Sequence, residues 1–548
     1  MRFYELEERT IGRILADKAV TLENKTWLLW GERRYSYAEL EQFTNRYANG
    51  FSSLGIQKGD HVALMMPNCP EFFWVLWGLG KLGAVAVPIN TAAKGELLRY
   101  FIDQSDSEWM VIHEEWADRV ALLANELPKI KTYLYFGAKK PLDSALSEVR
   151  LPVIDLQEMQ SSSSTPQPLE SVLHSDLHLI AYTSGTTGPS KGVMCPHSQG
   201  HGVGYALSKY FGYRADDVLY TCLPLFHGNA LWYTCYAALW ADAAIALAPR
   251  FSASQFWDDI TRFGATQFNS LGAMTNIIWK IPLPSKEHRL RQCMTVPVPK
   301  EIYLDFQARY HLDITSVYAM TETCVVTLFT PDDSLQKAGS AGKTRGYVEI
   351  QIVDDERRPL PPGEGGEICV RSLEPGLMML GYYKMSETTE AQMRGSWFHT
   401  GDRGYVDKDG YLFFIDRKKE AIRRRGENIS AYEVELIISK HPKVLEVAAI
   451  PVASELSEDD VMAYIVLKPK EIVSYEEIID FCNRNMAYFM VPRFVEFVDS
   501  LPKTPSQKIE KYKLKELAEA RLSEIWDREK AGIRLGGIDR ASRSPDQT

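Results

Sequence analysis

The chain has 548 residues, and its 62 Lys and Arg against 72 Asp and Glu give a formal net charge of -10. With 45% hydrophobic and 24% charged residues, the composition is that of a globular protein, and the length exceeds what one compact core holds. The acidic balance excludes a general attraction to nucleic acid or to acidic membranes. Any anionic ligand must therefore be held by a local site.

Eight cysteines are scattered along the chain without a Cys-x-x-Cys pair or a zinc-like spacing. In a large chain this distribution indicates reduced thiols of a cytosolic protein. The first residues are acidic and polar, unlike a secretory signal, and the most apolar stretch, residues 72–88, carries Lys81 in its middle. We therefore predict a cytoplasmic protein with no transmembrane segment and no nucleic-acid partner.

Short apolar runs alternate with helical patterns through the first three quarters of the chain. The predicted strands are His61–Met66, Met110–His113, Thr132–Phe136 and Leu179–Thr183, and the predicted helices are Tyr37–Phe51, Pro70–Leu82 and Lys94–Asp103. This alternation favours an α/β architecture with layered, mostly parallel sheets. The low-complexity stretch Gln160–Pro168 is predicted as a loop, either inside a domain or at a domain boundary.

The composition and the residue pattern of the sequence change after Asp416. A basic-rich stretch leads into Ser430-Ala-Tyr-Glu433, which has the form of a helix capping box, and Ser474-Tyr-Glu-Glu477 repeats that form. The pattern of helices and strands then predicts a small α+β unit. We predict a large N-terminal domain at 1–416, a small C-terminal domain at 417–530 and a disordered tail at 531–548.

The segment Tyr182–Met194 carries the strongest chemical signal. A predicted strand runs into a loop of small and hydroxyl residues that ends at Lys191. Glycines let backbone N–H groups turn toward one anion, hydroxyls add donors, and the lysine supplies charge, which together predict a polyphosphate site. The spacing is not that of a Walker A loop, because Gly192 stands where Ser or Thr would bind Mg²⁺.

This segment resembles the phosphate loop of the adenylate-forming superfamily, which comprises acyl-CoA synthetases, peptide-synthetase adenylation domains and luciferases. Further motifs of that superfamily follow in its order: Pro224–His227, Tyr318–Glu322, Gly363–Glu367, Trp397–Asp402, Asp416–Lys419 with Gly426–Asn428, and Leu501–Lys508. The C-terminal stretch is most similar to crotonobetaine/carnitine-CoA ligases. The resemblance implies a two-step reaction with ATP, Mg²⁺ and coenzyme A, in which a carboxylic acid becomes an acyl-adenylate and then a thioester.

The resemblance also implies roles for individual residues. Nucleotide phosphates would be bound by Thr183, Ser184, Gly185, Thr186, Thr187, Gly188 and Lys191. Glu322, with Thr183, would hold Mg²⁺, Thr321 would contact the α-phosphate, and Tyr318 would stack on adenine. Asp402 and Arg417 would bind the ribose.

The remaining implied roles concern chemistry and motion. Lys508 would bridge the carboxylate and the α-phosphate during adenylation, and Lys419 would be the hinge of a mobile C-terminal domain. His227 would gate the acyl pocket, which distinguishes this chain from amino-acid-activating relatives with Asp there. Arg423–Arg425 would contact a coenzyme A phosphate or form a solvated basic run.

Several positions depart from the superfamily pattern. Ala319 replaces a glycine, Thr295-Val296 replaces a Gly-Ala pair, Arg425 replaces a glycine, and Gln507 replaces the glycine before the catalytic lysine. Trp232 and Trp279 suggest a bounded acyl pocket, although a core role for either is equally consistent.

The favoured function is an ATP-dependent carboxylic acid–CoA ligase. The alternatives are an adenylating enzyme that loads another thiol, such as a carrier protein, and a catalytically idle nucleotide-binding homologue. The partners implied are a small carboxylic acid, ATP and coenzyme A, and the sequence leaves a homodimer open.

Overall fold

A computed structural model describes residues 2–137, 146, 151–183, 189–283, 287–296, 303–417, 421–424, 426–454, 458–502 and 509–535. The predicted site residues Ser184, Gly185, Thr186, Thr187, Gly188, Lys419 and Lys508 lie outside this description, as do Arg425 and Gln507. The chain forms a large N-terminal α/β domain and a smaller C-terminal α+β domain, which confirms the predicted fold class.

The helices occupy both domains. The N-terminal domain has α1 Ile11–Thr21, α2 Tyr37–Ser53, α3 Pro70–Leu82, α4 Gly95–Gln104, α5 Ala117–Ala121, α6 His197–Tyr210, α7 Gly228–Ala230, α8 Ala237–Ala241, α9 Phe256–Phe263, α10 Gly272–Lys280, α11 Tyr303–Tyr310 and α12 Ser386–Gln392. A π-helix, Leu231–Tyr236, joins α7 to α8. The C-terminal domain has α13 Ala431–Ser439, α14 Tyr475–Asn485 and α15 Lys511–Arg521. Short 3₁₀ helices lie at Leu6–Glu8, Ala124–Glu126, Leu156–Ser161, Leu169–Ser171 and Leu335–Lys337.

The strands are numbered in chain order. Those of the N-terminal domain are β1 Thr26–Trp30, β2 Arg33–Ser36, β3 His61–Met65, β4 Val85–Pro88, β5 Trp109–His113, β6 Thr132–Phe136, β7 Val153–Asp155, β8 Leu177–Thr183, β9 Lys191–Pro196, β10 Val218–Thr221, β11 Ala244–Leu247, β12 Gln267–Leu271, β13 Gln292–Val296, β14 Asp313–Met320, β15 Cys324–Phe329, β16 Val348–Val353, β17 Gly366–Ser372, β18 Gly381–Tyr382, β19 Met393–Arg394, β20 Trp397–Val406 and β21 Leu412–Arg417. They are followed by β22 Ala421–Arg424, β23 Glu427–Ser430, β24 Val444–Ala453, β25 Asp459–Leu467, β26 Phe494–Phe497 and β27 Trp526–Asp527.

Two large sheets form the body of the N-terminal domain. One has the order β15-β14-β13-β12-β10-β11-β1-β2 and the other β18-β9-β8-β4-β3-β5-β6-β7. The central pairs of both sheets are parallel, and antiparallel pairs occur at their edges. A third sheet, β16-β17-β20-β19 with β21 on β20, is antiparallel. In parallel sheets the carboxyl ends of the strands form the usual ligand-binding edge, which locates the site described below.

Helix α3 shows how the local sequence specifies these layers. Pro70 is the first helical residue, where its missing N–H costs nothing, and Gly83 ends the helix in the left-handed conformation with φ 74°. Nearly every side chain of the helix is buried, because β4 follows directly and α2 packs on the other side. The predicted bounds of α3 agree with the structure.

The C-terminal domain is built on a four-stranded sheet with the order β24-β25-β26-β27. Residues alternate between its two faces, as a strand repeat of two requires. Ala448, Ile450 and Tyr464 pack with α15 on one face. Val447, Ala449 and Ala463 belong to the other face, which joins α13 and α14 to side chains of the N-terminal domain.

In two details the structure adds to or differs from the sequence-based prediction. The stretch 160–168 joins β7 to β8, which belong to one sheet, so it is a loop inside a domain, and Asn49 donates to the carbonyls of Ser163 and Thr165. Ser430 and Ser474 cap their helices by accepting from the N–H groups of Glu433 and Glu477, but neither serine N–H donates back to the glutamate carboxylate: Glu433 accepts from Ser190, and Glu477 pairs with Lys443.

The end of the described chain is packed. Leu535 is buried, and the N–H of Ile533 donates to the carbonyl of Arg528. Residues 531–535 of the predicted tail are thus part of the packed chain, and residues 536–548 lie outside the description. Within the part of the chain that is described, none of the helices combines the length and the apolar character that crossing a bilayer would need.

Candidate active site

A cleft of about 640 Å³ lies where the two domains meet. Four of the strands that lead to it, β8, β10, β12 and β14, contribute residues at or just after their carboxyl ends. The C-terminal domain contributes Gly426 and Glu427 from the β22–β23 hairpin, and Glu433 from α13. Segments far apart in sequence are therefore brought together by the parallel sheets and by the docking of the small domain.

The glycine-rich loop connects two paired strands. Thr183, the last residue of β8, lies opposite Lys191, the first residue of β9, in an antiparallel pair. Both residues line the cleft, as does Ser190. The strand residues on either side of the loop are therefore fixed opposite each other, and residues 184–188 lie outside the description.

Glu322 and Lys191 both contact the side chain of Tyr382. The Tyr382 hydroxyl donates to Glu322 Oε1 over 2.9 Å, and Lys191 Nζ lies 4.8 Å from the centre of the Tyr382 ring. Burial, together with the neighbouring Glu322 carboxylate, raises the pKa of Tyr382. Sequence reasoning missed Tyr382, because nothing in its local pattern distinguishes it from a core tyrosine; only its pairing through β18 with β9 brings it here.

Asp402 is buried and is oriented by Tyr318. The Tyr318 hydroxyl donates to Asp402 Oδ2 over 2.8 Å, and the backbone of Arg417 lies opposite Asp402 in the β20–β21 pair. Asp402 lines the cleft together with Thr400 and Gly401, whereas Tyr318 is not among the cleft-lining residues that the description contains. The arrangement therefore presents one carboxylate to the cleft and uses the tyrosine hydroxyl to hold it.

Thr321 follows the end of β14 and also lines the cleft. Its carbonyl accepts a hydrogen bond from Gln199 Nε2 over 2.7 Å. The side chain of Gln199 thus fixes the backbone of the Tyr318–Glu322 segment from helix α6.

His227 meets a carboxylate of the small domain. Its Nε2 lies 3.1 Å from Glu427 Oε1, and the His227 side chain is 40% exposed toward the cleft. Burial disfavours the charged imidazole, but the Glu427 carboxylate outweighs this and raises the pKa of His227. This contact exists only because the β22–β23 hairpin reaches into the cleft.

A second contact between the domains involves Glu433. Its Oε1 accepts from the backbone N–H of Ser190 over 2.7 Å and from the Ser190 hydroxyl. Burial raises the pKa of Glu433 to about 7, against the hydrogen bonds from Ser190 that lower it.

The part of the cleft next to His227 is lined by apolar and amide side chains. Trp232 and Tyr233 both line it although they are consecutive, and both belong to the π-helix, a form that often occurs at functional sites. Asn229 also lines it and accepts from Asn269 Nδ2 over 3.0 Å. Trp279 instead packs near Phe306 and under the Arg309 guanidinium, so of the two tryptophans considered from the sequence only Trp232 reaches the cleft.

Within the basic segment Arg423–Arg425 of the small domain, Arg424 has a structural role. Arg424 is buried, its Nε lies 2.8 Å from Asp460 Oδ1, and it donates to the carbonyls of Phe489 and Val491. The prediction of a solvated or phosphate-binding Arg424 is therefore wrong. Its guanidinium holds the hairpin to the loop before β26.

The comparisons with known proteins agree with this geometry. The family model described as AMP-binding enzyme matches residues 15–383, and the model described as AMP-binding enzyme C-terminal domain matches residues 433–508. The chain belongs to the AMP-binding enzyme family. The predicted superfamily and, at the level of the family, the predicted AMP-forming acid–CoA ligase activity are confirmed.

Three known proteins illustrate what this chain is similar to. A crotonobetaine/carnitine–CoA ligase of Salmonella typhimurium is 35% identical over 489 residues, which are 88% of this chain and 93% of the relative. A double mutant of o-succinylbenzoate CoA synthetase from Bacillus subtilis, bound with the product analogue OSB-NCoA, has a TM-score of 0.78, 25% identity, and coverage of 92% of this chain and 98% of that one. ATP-bound MatB from Rhodopseudomonas palustris has a TM-score of 0.67, 26% identity, and coverage of 93% and 99%.

Six of the predicted site residues thus lie together at the cleft. Thr183, Lys191, His227, Thr321, Glu322 and Asp402 all line it. Tyr318 and the Arg417 backbone lie directly behind Asp402, while the side chain of Arg417 is outside the description. The roles assigned to these residues stay predictions.

Proposed function

We propose that this chain is an ATP-dependent carboxylic acid–CoA ligase that works through an acyl-adenylate. The observation that carries the proposal is the cleft itself. Lys191, Glu322 and Asp402, three groups suited to a nucleotide, share it with His227, Trp232 and Tyr233, which suit an acyl group. The hairpin of the second domain closes the same cleft.

In the first step a carboxylate oxygen attacks the α-phosphorus of ATP, the bond between the α- and β-phosphates breaks, and pyrophosphate leaves. Lys191 and the donors at the end of the glycine-rich loop bind the polyphosphate, and Asp402 accepts hydrogen bonds from the ribose. Lys508 neutralises the charge that builds between the acid and the α-phosphate. No covalent bond to the protein is needed, so these residues act by position and charge.

Mg²⁺ fits the residues present. Within the described ranges no group of three or more His, Cys, Asp or Glu could hold a metal on its own. Mg²⁺ prefers one or two carboxylates together with phosphate oxygens, and the buried Glu322 with the Thr183 hydroxyl provides such hard donors beside the phosphate loop. When bound, Mg²⁺ supplies charge neutralisation on the phosphates.

In the second step the thiol sulfur of coenzyme A attacks the acyl carbon, the bond to AMP breaks, and the thiol proton passes to solvent. We propose that the small domain has, in this structure, the orientation used for this second step. Leu501 and Ile509, which flank the segment of Lys508, pack with Ala448 and Tyr464 on the sheet face away from the N-terminal domain.

Adenylation then requires the small domain to rotate and bring Lys508 to the cleft. We propose Lys419, between β21 and β22, as the hinge of this motion.

The acid is proposed to be small. Trp232 and Tyr233 bound the acyl end of the cleft, and Asn229 adds one polar group there. The 35% identical relatives are named for crotonobetaine and carnitine, so short quaternary ammonium acids, whose cations bind well against aromatic rings, come first in any screen.

The test is a panel of carboxylic acids incubated with the purified chain, ATP, Mg²⁺ and coenzyme A, with AMP and thioester measured by mass spectrometry. An acid–CoA ligase forms AMP and thioester in equal amounts with at least one acid. Acid-dependent pyrophosphate exchange without a CoA thioester would instead indicate another thiol acceptor. An absence of exchange with every acid would indicate an idle homologue.

A cytoplasmic location is proposed from the cysteines, because all eight are buried and none forms a disulfide within the described residues. A homodimer stays a prediction, which light scattering of the purified chain would test.

A further inference from the structure

A second cavity, of about 210 Å³, lies in the N-terminal domain and is lined by residues of the N-terminal segment, of helix α6 and of strand β15. None of the residues described as lining it also lines the candidate active site. One strand pair separates the two, because Cys324 lines the second cavity and lies opposite Met320, which lines the cleft. The second cavity is therefore a separate place for a ligand and not an extension of the cleft.

Arg9 lines this second cavity and is only 4% exposed. Its Nε donates to the carbonyl of Tyr4 over 3.1 Å, and its guanidinium lies 5.5 Å from the centre of the Phe3 ring. Among the described residues, its two terminal amino groups find no acceptor and no carboxylate lies within ion-pair distance. Burial lowers the pKa of Arg9, and the more distant Glu374 carboxylate offsets this only in part. A buried cation with unused donors is costly, and a bound anion would compensate it.

Two further polar groups of this cavity also lack partners. Tyr347 is 7% exposed, and its hydroxyl forms no hydrogen bond in the part of the chain that is described. The Nε of Arg345, another lining residue, has no acceptor there either. Burial raises the pKa of Tyr347 well above its ordinary range, so the hydroxyl keeps its proton and can donate. Because buried polar groups nearly always have partners, unsatisfied donors that share one cavity indicate a ligand that accepts hydrogen bonds.

The charges around the cavity leave one cation in excess. Lys209 and Glu374 both line the cavity and carry opposite charges. Arg345 is already paired with Asp333. The buried guanidinium of Arg9 is therefore the charge that remains to be neutralised, and a monoanion does this without adding a further uncompensated charge.

The shape of the donors and the walls narrows the chemistry of this anion. The terminal amino groups of a guanidinium form a planar fork that matches the two oxygens of a carboxylate. Phe3 and Tyr205, whose ring centres are 5.1 Å apart, line the cavity together with Leu377, so apolar surface surrounds the donors. The volume lies below the roughly 300–1,000 Å³ of pockets for drug-sized ligands, which favours a body of one ring or a short chain.

Independently of the proposed function, we propose that the second cavity binds a small organic monocarboxylate through the terminal amino groups of Arg9 and the hydroxyl of Tyr347. One carboxylate then satisfies the buried charge and the buried hydroxyl together. The apolar body of the ligand packs against Phe3, Tyr205 and Leu377.

The experiment uses the purified full-length chain and 4-bromobenzoate as the probe. Affinity is measured by isothermal titration calorimetry, and the anomalous signal of bromine in soaked crystals locates the bound probe. The variants are Arg9→Leu, Arg9→Lys, which keeps the charge without the fork, and Tyr347→Phe, which removes only the hydroxyl. Arg46→Leu is the matched control, because the Arg46 guanidinium also lies near an aromatic ring, 5.8 Å from the centre of Phe43, but lines neither cavity.

In the wild type, bromine should lie in the second cavity. Arg9→Leu should weaken binding there about a hundredfold, because charge-assisted hydrogen bonds are lost, and Arg9→Lys and Tyr347→Phe about tenfold each. Tyr347→Phe should do so without lowering the melting temperature of the ligand-free chain, since its hydroxyl has no partner to lose among the described residues. Arg46→Leu should bind the probe as the wild type does.

Bromine in the cleft alone would overturn the inference, and so would equal affinity at the second cavity in the wild type, Arg9→Leu and Tyr347→Phe. If Arg9→Leu does not fold, Arg9→Lys and Tyr347→Phe decide by the same comparison. Inorganic phosphate is titrated in parallel. Arg9-dependent binding of phosphate without binding of 4-bromobenzoate would overturn the assignment to a monocarboxylate.

Discussion

At the scale of single residues, the hydroxyl of Tyr318 determines how the Asp402 carboxylate is oriented beside the cleft. Asp402 is buried, and its Oδ2 accepts from the tyrosine over 2.8 Å. A buried carboxylate needs such donors to stay charged and to keep one orientation. Tyr318 therefore orients the Asp402 carboxylate through its hydroxyl, and we propose that it supports ribose binding in this way, whereas the sequence-based prediction assigned its ring to adenine.

Tyr318→Phe separates these two roles, because it keeps the ring and removes the hydroxyl. We expect the KM for ATP to rise about tenfold, since a hydrogen bond to a charged group is lost, while the KM for the acid changes little. The control is Tyr210→Phe, whose hydroxyl donates to the carbonyl of Arg345 outside the cleft. An unchanged KM for ATP in Tyr318→Phe, with a large increase in Tyr318→Leu, would favour stacking on adenine instead.

The sequence could predict which residues reach the site but not all of their partners. Lys191, Glu322 and Asp402 stand in motifs whose order is readable, and all of them line the cleft. The pairs His227 with Glu427 and Ser190 with Glu433 join residues that are 200 and 243 positions apart in the sequence. No local pattern encodes such pairs, because they depend on how one domain docks on the other.

At the scale of secondary-structure elements, the start of α4 and the end of α14 form a close backbone approach between the domains. Lys94 Nζ donates to Asn483 Oδ1 over 3.0 Å, and a Cβ on Gly95 would lie 2.9 Å from the Cα of Asn485. Lys440 and Glu96 form an ion pair of 3.0 Å beside it. Gly95 thus permits two backbones to meet in the docked orientation.

Gly95→Ala should hinder that orientation. The added methyl group meets the backbone of α14, and overpacking of this kind costs about 1–3 kcal/mol, so thioester formation from acyl-AMP should fall roughly tenfold. Exchange of ATP with pyrophosphate should be unaffected, since the domains are oriented differently there.

Gly31→Ala is the matched control. Gly95 has φ 53° and Gly31 has φ 56°, so both substitutions carry the same left-handed strain, but a Cβ on Gly31 meets nothing within 4 Å. Equal effects of the two substitutions on thioester formation would contradict the docking role of Gly95.

The elements themselves were largely predictable. The bounds of α3 and β6 agree with the prediction because Pro70, Gly83 and the run Thr132–Phe136 are strong local signals. The capping boxes predicted at the starts of α13 and α14 are formed only in part, since a glutamate at the third helical position is equally able to bind a partner from another element.

At the scale of the whole molecule, the N-terminal domain buries three histidines together. His178 and His197 are stacked at 4.2 Å between ring centres, and His201 lies 4.8 Å from the Tyr236 ring. Within the described residues, both ring nitrogens of His197 and of His201 lack a hydrogen-bond partner. Burial lowers the pKa of His178 to about 4 and holds the pKa values of His197 and His201 well below the ordinary range.

This cluster predicts acid instability. The histidines of the unfolded chain titrate near their ordinary pKa of about 6.5. Below that pH the unfolded state therefore binds more protons than the folded state, in which the buried histidines stay neutral. Stability should be full above pH 6.5 and should fall as the pH drops toward 4. In His197→Phe, which keeps a ring against His178, the slope of unfolding free energy against pH should decrease by about one proton.

Denaturant unfolding between pH 7.5 and 5 measures this slope. His174→Gln, a change at a position that is not buried, is the control and should leave it unchanged. An equal pH slope in His197→Phe and the wild type would show that this histidine is not buried in the neutral form.

The central claim is that the C-terminal domain delivers the Lys508 ammonium for adenylation and a different surface for thiol transfer. The most direct measurement compares both half-reactions in Lys508→Ala, using ATP–pyrophosphate exchange for the first and thioester formation from synthetic acyl-AMP for the second. We predict that exchange falls about 10²–10³-fold, as for removal of a charge-stabilising donor, while thioester formation stays close to the wild-type rate. Loss of both half-reactions to the same extent, or exchange at the wild-type rate, would contradict the account.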